Sequence, residues 1–361
     1  MDPRAVRNMK GGALECGEGR DLRPGIAAGL KLITLAAILL SGCAARSQDC
    51  ASPEIWCAGL VTDFGSVTQG INNEAWLALE DAKSGGLLAK IERIETVDSR
   101  DRAANIATFG DAGYDIVVTV GASISDETSA AARHYPRTAF IGVEQAQQTE
   151  IPNLAGLVFH EEQSGFLAGV LADSVTQTGH VAAVCESSFI DTVRRYCEGF
   201  RAGALYGDPS VRVTVSYRQG RSELLFHDPD WAQESALEML DAGADVLFSA
   251  GGETADAALQ AAAGGGALVI GAETDTYTRL KDVRPQLLTS AVSGVRAGVG
   301  VLVVAARQGK LPPGETFGQV GLAPFHDLES RIPREAEGRL AKIQGMLETR
   351  EILLEVPYRL P

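Results

Sequence analysis

From Ile55 onward the chain alternates between two spacings of apolar residues. Short runs rich in β-branched residues are each followed by a turn, and then by a stretch whose apolar positions fall three and four apart. The runs that read as strands are Cys57–Val61, Ile91–Val97, Ile116–Val120, Ala139–Val143, Leu154–Phe159, His180–Cys185, Val211–Ser216, Val246–Ser249, Leu268–Gly271 and Leu287–Val292. Between them lie helical patterns at Asn73–Ala82, Arg102–Ala112, Ser164–Ser174, Val193–Tyr206, Trp231–Ala242 and Ala255–Ala263. A short apolar run bounded by turn residues suits a strand buried on both faces, and the three-four spacing suits a helix with one buried face. Regular alternation of the two specifies parallel sheets covered by helices, and two successive sets of about four units predict two doubly wound lobes.

The end of the chain continues the pattern with a helix at Gly294–Arg307, a short extended piece at Gly321–Pro324 and a helical tail at Arg334–Thr349. The economical arrangement makes lobe 1 discontinuous, from 55–157 and 288–361, with lobe 2 at 158–287. Several crossings between lobes then act as hinges. No low-complexity linker separates the lobes, which suits a cleft that opens and closes.

The first 42 residues follow different rules. Ile26–Leu40 is apolar apart from Lys31, follows Arg20 and Arg23, and stops at Leu40-Ser41-Gly42-Cys43. Basic start, apolar middle and small residues before a cut make a signal peptide. The apolar run also falls short of the roughly 20 residues that span a bilayer. Small residues directly before a cysteine resemble the lipobox of bacterial lipoproteins, in which the cysteine thiol is acylated. Residues 1–42 are therefore expected to be a leader, Cys43 a lipid attachment point and residues 43–54 a tether. This places the protein in the cell envelope, anchored to the membrane and facing the periplasm or the outside.

Removing 42 residues from 361 leaves 319, more than one hydrophobic core normally organises. The leader carries four acids and six bases, so the net charge of −15 becomes −17 without it. Nucleic acid is an improbable partner for so acidic a chain, because phosphate binding rests on Lys and Arg. Disulfides persist outside the cytoplasm. Four cysteines follow Cys43, and four allow three pairings. The local one joins Cys50 to Cys57 and Cys185 to Cys197; free buried thiols are the alternative, and zinc is disfavoured because neither a CxxC pair nor clustered histidines accompany them.

Open α/β sheets place ligands beyond the carboxyl ends of their strands. The first such loop, Thr62 to Asn73, is long and polar, with Asp63 at the strand end and Asn72 and Asn73 near the helix start. Capping explains an Asn there equally well. Other strand ends offer Gly121 to Asp126, Glu144, Phe226 with His227 and Asp228, the turn Gly251-Gly252-Glu253-Thr254, and Glu273-Thr274-Asp275. Asp126, Asp228 and Thr254 could serve as N-caps. An aromatic plate beside carboxylates and amides is what a polar molecule carrying a flat ring requires. The five histidines are scattered singly, and no HExxH, GxSxG, P-loop or GxGxxG pattern occurs. Neither a catalytic centre, a cofactor nor a metal is indicated.

The run LVTDFGSVTQGINNEAWLALEDA (Leu60–Ala82) resembles the first motif of the basic membrane lipoproteins, the PnrA-like substrate-binding proteins of ABC transporters. NLAGLVFHEEQSGFLAGVLA (Asn153–Ala172), VRRYCEGFRAG (Val193–Gly203), ADVLFSAGGET (Ala244–Thr254) and VGLAPFHDL (Val320–Leu328) resemble later motifs in the same order. The resemblance implies a type I periplasmic-binding-protein fold that closes on a purine nucleoside and delivers it to a membrane permease. It implies that Asp63 and Asn73 bond the base, that Phe226 stacks on it, and that Gly251 belongs to the family's GG turn. Four positions depart from the pattern. Asn72 replaces a second stacking Phe, Glu144 and Glu273 stand where Asp is usual, and Ser293 replaces a ribose-binding Lys. Strand ends and resemblance together give the candidate ligand set Asp63, Asn72, Asn73, Glu144, Phe226, Gly251, Glu273, Asp275 and Ser293. A non-nucleoside ligand, an envelope sensor on the same fold, and an enzyme using Asp63, Glu144 or Glu273 in acid–base chemistry are the rival readings.

Overall fold

The computed structural model describes Cys50, Ser52 and residues 54–63, 65–220 and 224–356. Cys43 and the expected leader lie outside the described residues. Strands form within a residue or two of where the apolar runs place them: β1 (Cys57–Thr62), β2 (Lys90–Glu95), β3 (Ile116–Val120), β4 (Ala139–Val143), β5 (Leu154–Val158), β6 (His180–Cys185), β7 (Arg212–Tyr217), β8 (Val246–Ala250), β9 (Leu268–Glu273) and β10 (Leu287–Ser293). Two short edge strands follow, β11 (Gly314–Phe317) and β12 (Val320–Leu322). The helices are α1 (Gly70–Ser84), α2 (Arg102–Asp111), α3 (Ser125–His134), α4 (Glu161–Val175), α5 (Asp191–Gly207), α6 (Pro229–Asp241), α7 (Gly252–Gly264), α8 (Thr276–Arg279), α9 (Val295–Arg307) and α10 (Arg334–Glu348).

The strands make two six-stranded sheets, β11-β5-β4-β3-β1-β2 and β12-β10-β9-β8-β6-β7. All named pairings are parallel except β10 with β12. Every residue of β1, β3 and β8 is buried, which a parallel strand requires when helices cover both faces. One core layer lies between the first sheet and α1 and α9, a second on the face carrying α2 and α3. On the second sheet one layer involves α4, α5 and α10, the other α6 and α7. Disulfides join Cys50 to Cys57 at the start of β1, and Cys185 at the end of β6 to Cys197 on α5.

The segment 288–361 does not return whole to lobe 1. β10 pairs with β9 along its length, Leu287 with Val269 through Val292 with Glu273, and so completes the second sheet before the chain crosses. Only α9 and β11 belong to lobe 1. β12 crosses back to pair with β10, and α10 lays Ala336, Leu340, Ile343 and Leu347 on the second lobe's core. Their three-four spacing announces a helix with one apolar face and carries no information about which sheet that face meets.

Three segments cross between the lobes: Phe159-His160, Gly294, and Gly318-Gln319. They are stitched together. Gly318 N–H donates to Val158 O at 2.8 Å, and Gly294 N–H donates to Gln319 O at 2.8 Å. Gly318 lies so close to the Phe159 ring that a Cβ there would meet it at 2.2 Å. The His160 ring stacks on Phe317, with centroids 4.6 Å apart.

Candidate functional site

The carboxyl ends of both sheets carry the candidate residues in strand order. In lobe 1, Asp63 follows β1, Gly121 follows β3 and Glu144 follows β4; with neighbouring strands about 4.8 Å apart, Asp63 and Glu144 sit about 10 Å from one another along that edge. In lobe 2, Ser293 ends β10, Glu273 ends β9, Gly251 follows β8 and Glu186 follows β6. Five non-glycine residues among those described have a left-handed backbone, and Glu144 (φ 59°), Phe226 (φ 62°) and Glu273 (φ 71°) are three of them. Such conformations cost of order 1 kcal/mol or more each and concentrate where a side chain must be aimed.

Glu144 and Glu273 belong to opposite lobes, yet the Glu273 charge reaches Glu144. Water reaches both in part, as it would at the floor of a cleft, while protein surrounds them. Burial pushes Glu144 up to about 8, and the like charges of Glu161 and Glu273 add to the rise. Burial also raises Glu273 to about 7 against the pull of Arg279 and of the Gly251 and Gly252 amides. Glu161, 3 % exposed, is raised to about 8 by burial, opposed by its own backbone amide and then by Arg195. Among the described residues the Glu144 side chain has no hydrogen-bond or ion-pair partner. Beside this trio the Tyr196 hydroxyl meets Ser293 Oγ at 2.7 Å, and burial next to Glu161 holds the phenol well above its ordinary value.

Glu161 and Tyr196 were not among the residues singled out from the sequence. What joins them is a glycine contact between α4 and α5. A Cβ on Gly165 would lie 2.2 Å from Tyr196 O, and one on Gly199 would lie 2.3 Å from Glu162 O. Gly169 and Gly203 repeat the arrangement one turn on, against Phe200 O and Phe166 O. The helices therefore touch backbone to backbone. Glycines four apart in both motifs were the available signal.

Asp63 is 3 % exposed and forms an ion pair with Arg102, whose other amino group donates to Ser123 O. A protein cation thus already compensates the expected base-binding carboxylate. Asn72 and Asn73 are not caps: α1 begins at Gly70 with Gln69 at the N-cap position, so both lie inside the first turn. Asn72 Nδ2 reaches Ser66 O at 3.5 Å. The Asn73 amide is half-buried and has no side-chain partner among the described residues. Asp275 does cap α8, accepting from Tyr277 N–H at 3.1 Å, and its other oxygen meets His326 Nε2 at 2.8 Å. Its charge still reaches Glu74 on α1, raising that carboxyl after burial and against Arg296.

A depression of about 370 Å³ lined by Gln260, Asp282, Gln286 and neighbours opens at the other end of the second sheet, before β10. It brings together none of these groups. No set of three metal-ligating side chains occurs among the described residues.

Residues 61–318 match the family model of the PnrA-like ABC transporter substrate-binding proteins. The chain belongs to this family. Among relatives of this PnrA-like protein, the CD4+ T-cell-stimulating antigen of Listeria monocytogenes is 24 % identical over 310 residues, 79 % of this chain and 84 % of the relative. The ABC transporter nucleoside-binding protein BmpA of Lactococcus lactis is 26 % identical over 228 residues, 61 % and 63 % of the two chains. An ABC transporter solute-binding protein from Conexibacter woesei superposes with a TM-score of 0.70 at 22 % identity, covering 83 % of this chain and 99 % of that one. That likeness shows the fold, two α/β lobes of the type I periplasmic-binding-protein class. Substrate-binding members of this family work outside the cytoplasm, with a small-molecule ligand and a permease as partners. No helix among the described residues is long and apolar enough to cross a membrane.

Proposed function

We propose that this PnrA-like protein captures a purine nucleoside between its lobes and hands it to the permease of an ABC importer, while a lipid on Cys43 tethers it to the membrane. The observation that carries the reading is that Glu144 and Glu273, at strand ends of opposite lobes, lie near enough for the Glu273 charge to raise Glu144. Two acidic groups brought near each other on closure are best met by groups that both donate and accept hydrogen bonds, and ribose hydroxyls are such groups. Asn73 supplies a free amide for the edge of a base, and Phe226 supplies a ring for its face. Closure on the ligand would be read by the permease as a shifted open–closed equilibrium.

One observation favours a second ligand chemistry. Where the family resemblance implies a Lys, Ser293 bonds Tyr196, and both side-chain charges acting on Glu144 are negative. A ligand bearing an amine would compensate them better than a neutral sugar. Native mass spectrometry of protein purified from its host separates the two. A bound mass equal to a nucleoside supports the first reading, and a non-nucleoside amine of another mass replaces it. The tether is tested by Cys43→Ser, which should release a folded protein into soluble fractions; retention in the membrane would refute it.

A further inference from the structure

Glu186 is a buried carboxylate that the ligand contacts proposed above do not use. It follows β6, is 0 % exposed, and its carboxylate bonds Phe226 itself and two residues that hold the Phe226 loop, Arg218 and Thr254. Its Oε1 accepts from Ser187 N–H at 3.1 Å and from Arg218 Nε at 2.5 Å. Its Oε2 accepts from Thr254 Oγ1 at 2.8 Å and from the backbone N–H of Phe226 at 3.1 Å. The loop is then closed from its other side: Thr254 N–H donates to Phe226 O at 3.3 Å, and Thr254 Oγ1 accepts from Asp228 N–H at 3.0 Å. Arg218, 3 % exposed, stands 3.5 Å from Asp228, so the same ion pair touches both ends of the segment Phe226–Asp228.

The glycine turn lies inside this assembly. A Cβ on Gly251 would meet Glu186 Cβ at 2.2 Å, and one on Gly252 would meet Phe226 Cβ at 3.0 Å. Gly251 and Gly252 are thus held between Glu186 and Phe226, and their amides face Glu273. A left-handed phenylalanine persists only where its surroundings over-determine it. Here a charged acceptor on its N–H and a threonine amide on its C=O do so.

We infer that Glu186 is the positioning residue of the lobe 2 half of the site, fixing the Phe226 ring and, through the Gly251-Gly252 turn, the Glu273 carboxylate. A buried acid rather than an apolar side chain suits this task, because one carboxylate can hold the backbone amide, the threonine hydroxyl and the guanidinium together. The inference rests on the reading that Phe226 stacks on a ring of the ligand, and one arm of its test is independent of that reading.

The test compares the wild-type chain with Glu186→Gln, each with Phe226 and with Phe226→Leu. Inosine affinity by calorimetry should fall about tenfold or more in Glu186→Gln and should show little further loss when Phe226→Leu is already present. Equal losses in both backgrounds would mean that Glu186 acts through the fold at large, overturning the inference. The ligand-free arm is hydrogen–deuterium exchange. The amides of residues 224–228 should exchange at least about tenfold faster in Glu186→Gln while those of β8 keep their protection; an unchanged Phe226 amide overturns the inference even if no nucleoside binds. Should Glu186→Gln not fold, Glu186→Asp keeps the charge for Arg218, shortens the reach to Phe226, and is read by the same two measurements.

Discussion

Replacing Glu144 with Gln should stabilise the ligand-free protein in mild alkali. Glu144 is raised from an ordinary 4.5 to about 8 by burial, then by Glu161 and Glu273. A carboxyl whose folded value lies above its unfolded value holds its proton longer when folded. Its contribution to stability is therefore complete below about 4.5 and is lost as pH rises toward about 8. Between pH 6 and 8 the loss is at most ~2.7 kcal/mol, at about 1.36 kcal/mol per pH unit. Water in the cleft relaxes part of this, so about 1.5 kcal/mol is the expected size. Urea unfolding of wild type and Glu144→Gln at pH 6 and pH 8.5 reads it directly. The wild type should lose about 1.5 kcal/mol more than the variant over that interval, and the variant should be the more stable protein at pH 8.5, by a few degrees in Tm. Equal pH slopes, or a less stable variant at pH 8.5, would show that the carboxylate is well solvated and that the cleft is not the enclosed acidic site derived above.

Gly203→Ala places a Cβ 1.9 Å from Phe166 O and should cost about 3 kcal/mol by forcing α4 from α5. Gly338→Ala, at an exposed position of α10, meets nothing within 4 Å and should instead gain up to ~1 kcal/mol; chemical denaturation of both separates contact from propensity. Arg102→Met leaves Asp63 buried beside an apolar chain and should destabilise by about 2 kcal/mol, less than for a fully buried pair because Arg102 retains some exposure; an unchanged midpoint would mean that Asp63 finds another partner. Loss of the Cys185–Cys197 bridge, made as Cys185→Ala with Cys197→Ala, should lower stability by about 3 kcal/mol in non-reducing thermal melts.

The parts of the fold legible in the sequence are those where one residue pattern allows one answer. The buried runs of β1, β3 and β8 could only be central parallel strands, and α5 and α9 show their apolar faces plainly. α3 was not foreseen as a helix because Ser125–His134 is mostly polar and buries only Thr128 and Ala132. β11 is four residues at a sheet edge, with too few buried positions to set a period. The lobe membership of β10, β12 and α10 depends on which surface is left uncovered once the sheets exist. The site divides in the same way. Glu144, Gly251 and Glu273 announce themselves by ending strands and Ser293 only by its place in a family motif, whereas Glu161, Tyr196 and Glu186 gain their positions from long-range packing. Asp63 was visible, but Arg102, which neutralises it, stands 39 positions later in the chain.

The central claim is that the cleft between Glu144 and Glu273 closes on a purine nucleoside. It is tested most directly by calorimetric titration of the chain beginning after Cys43 with inosine, adenosine, guanosine, cytidine, uridine and D-ribose at pH 7. The account predicts one site per chain, a purine nucleoside bound with Kd of about 10 µM or tighter, and weaker binding of ribose alone. Heat with none of the nucleosides, from protein stripped of any co-purified ligand, would contradict it.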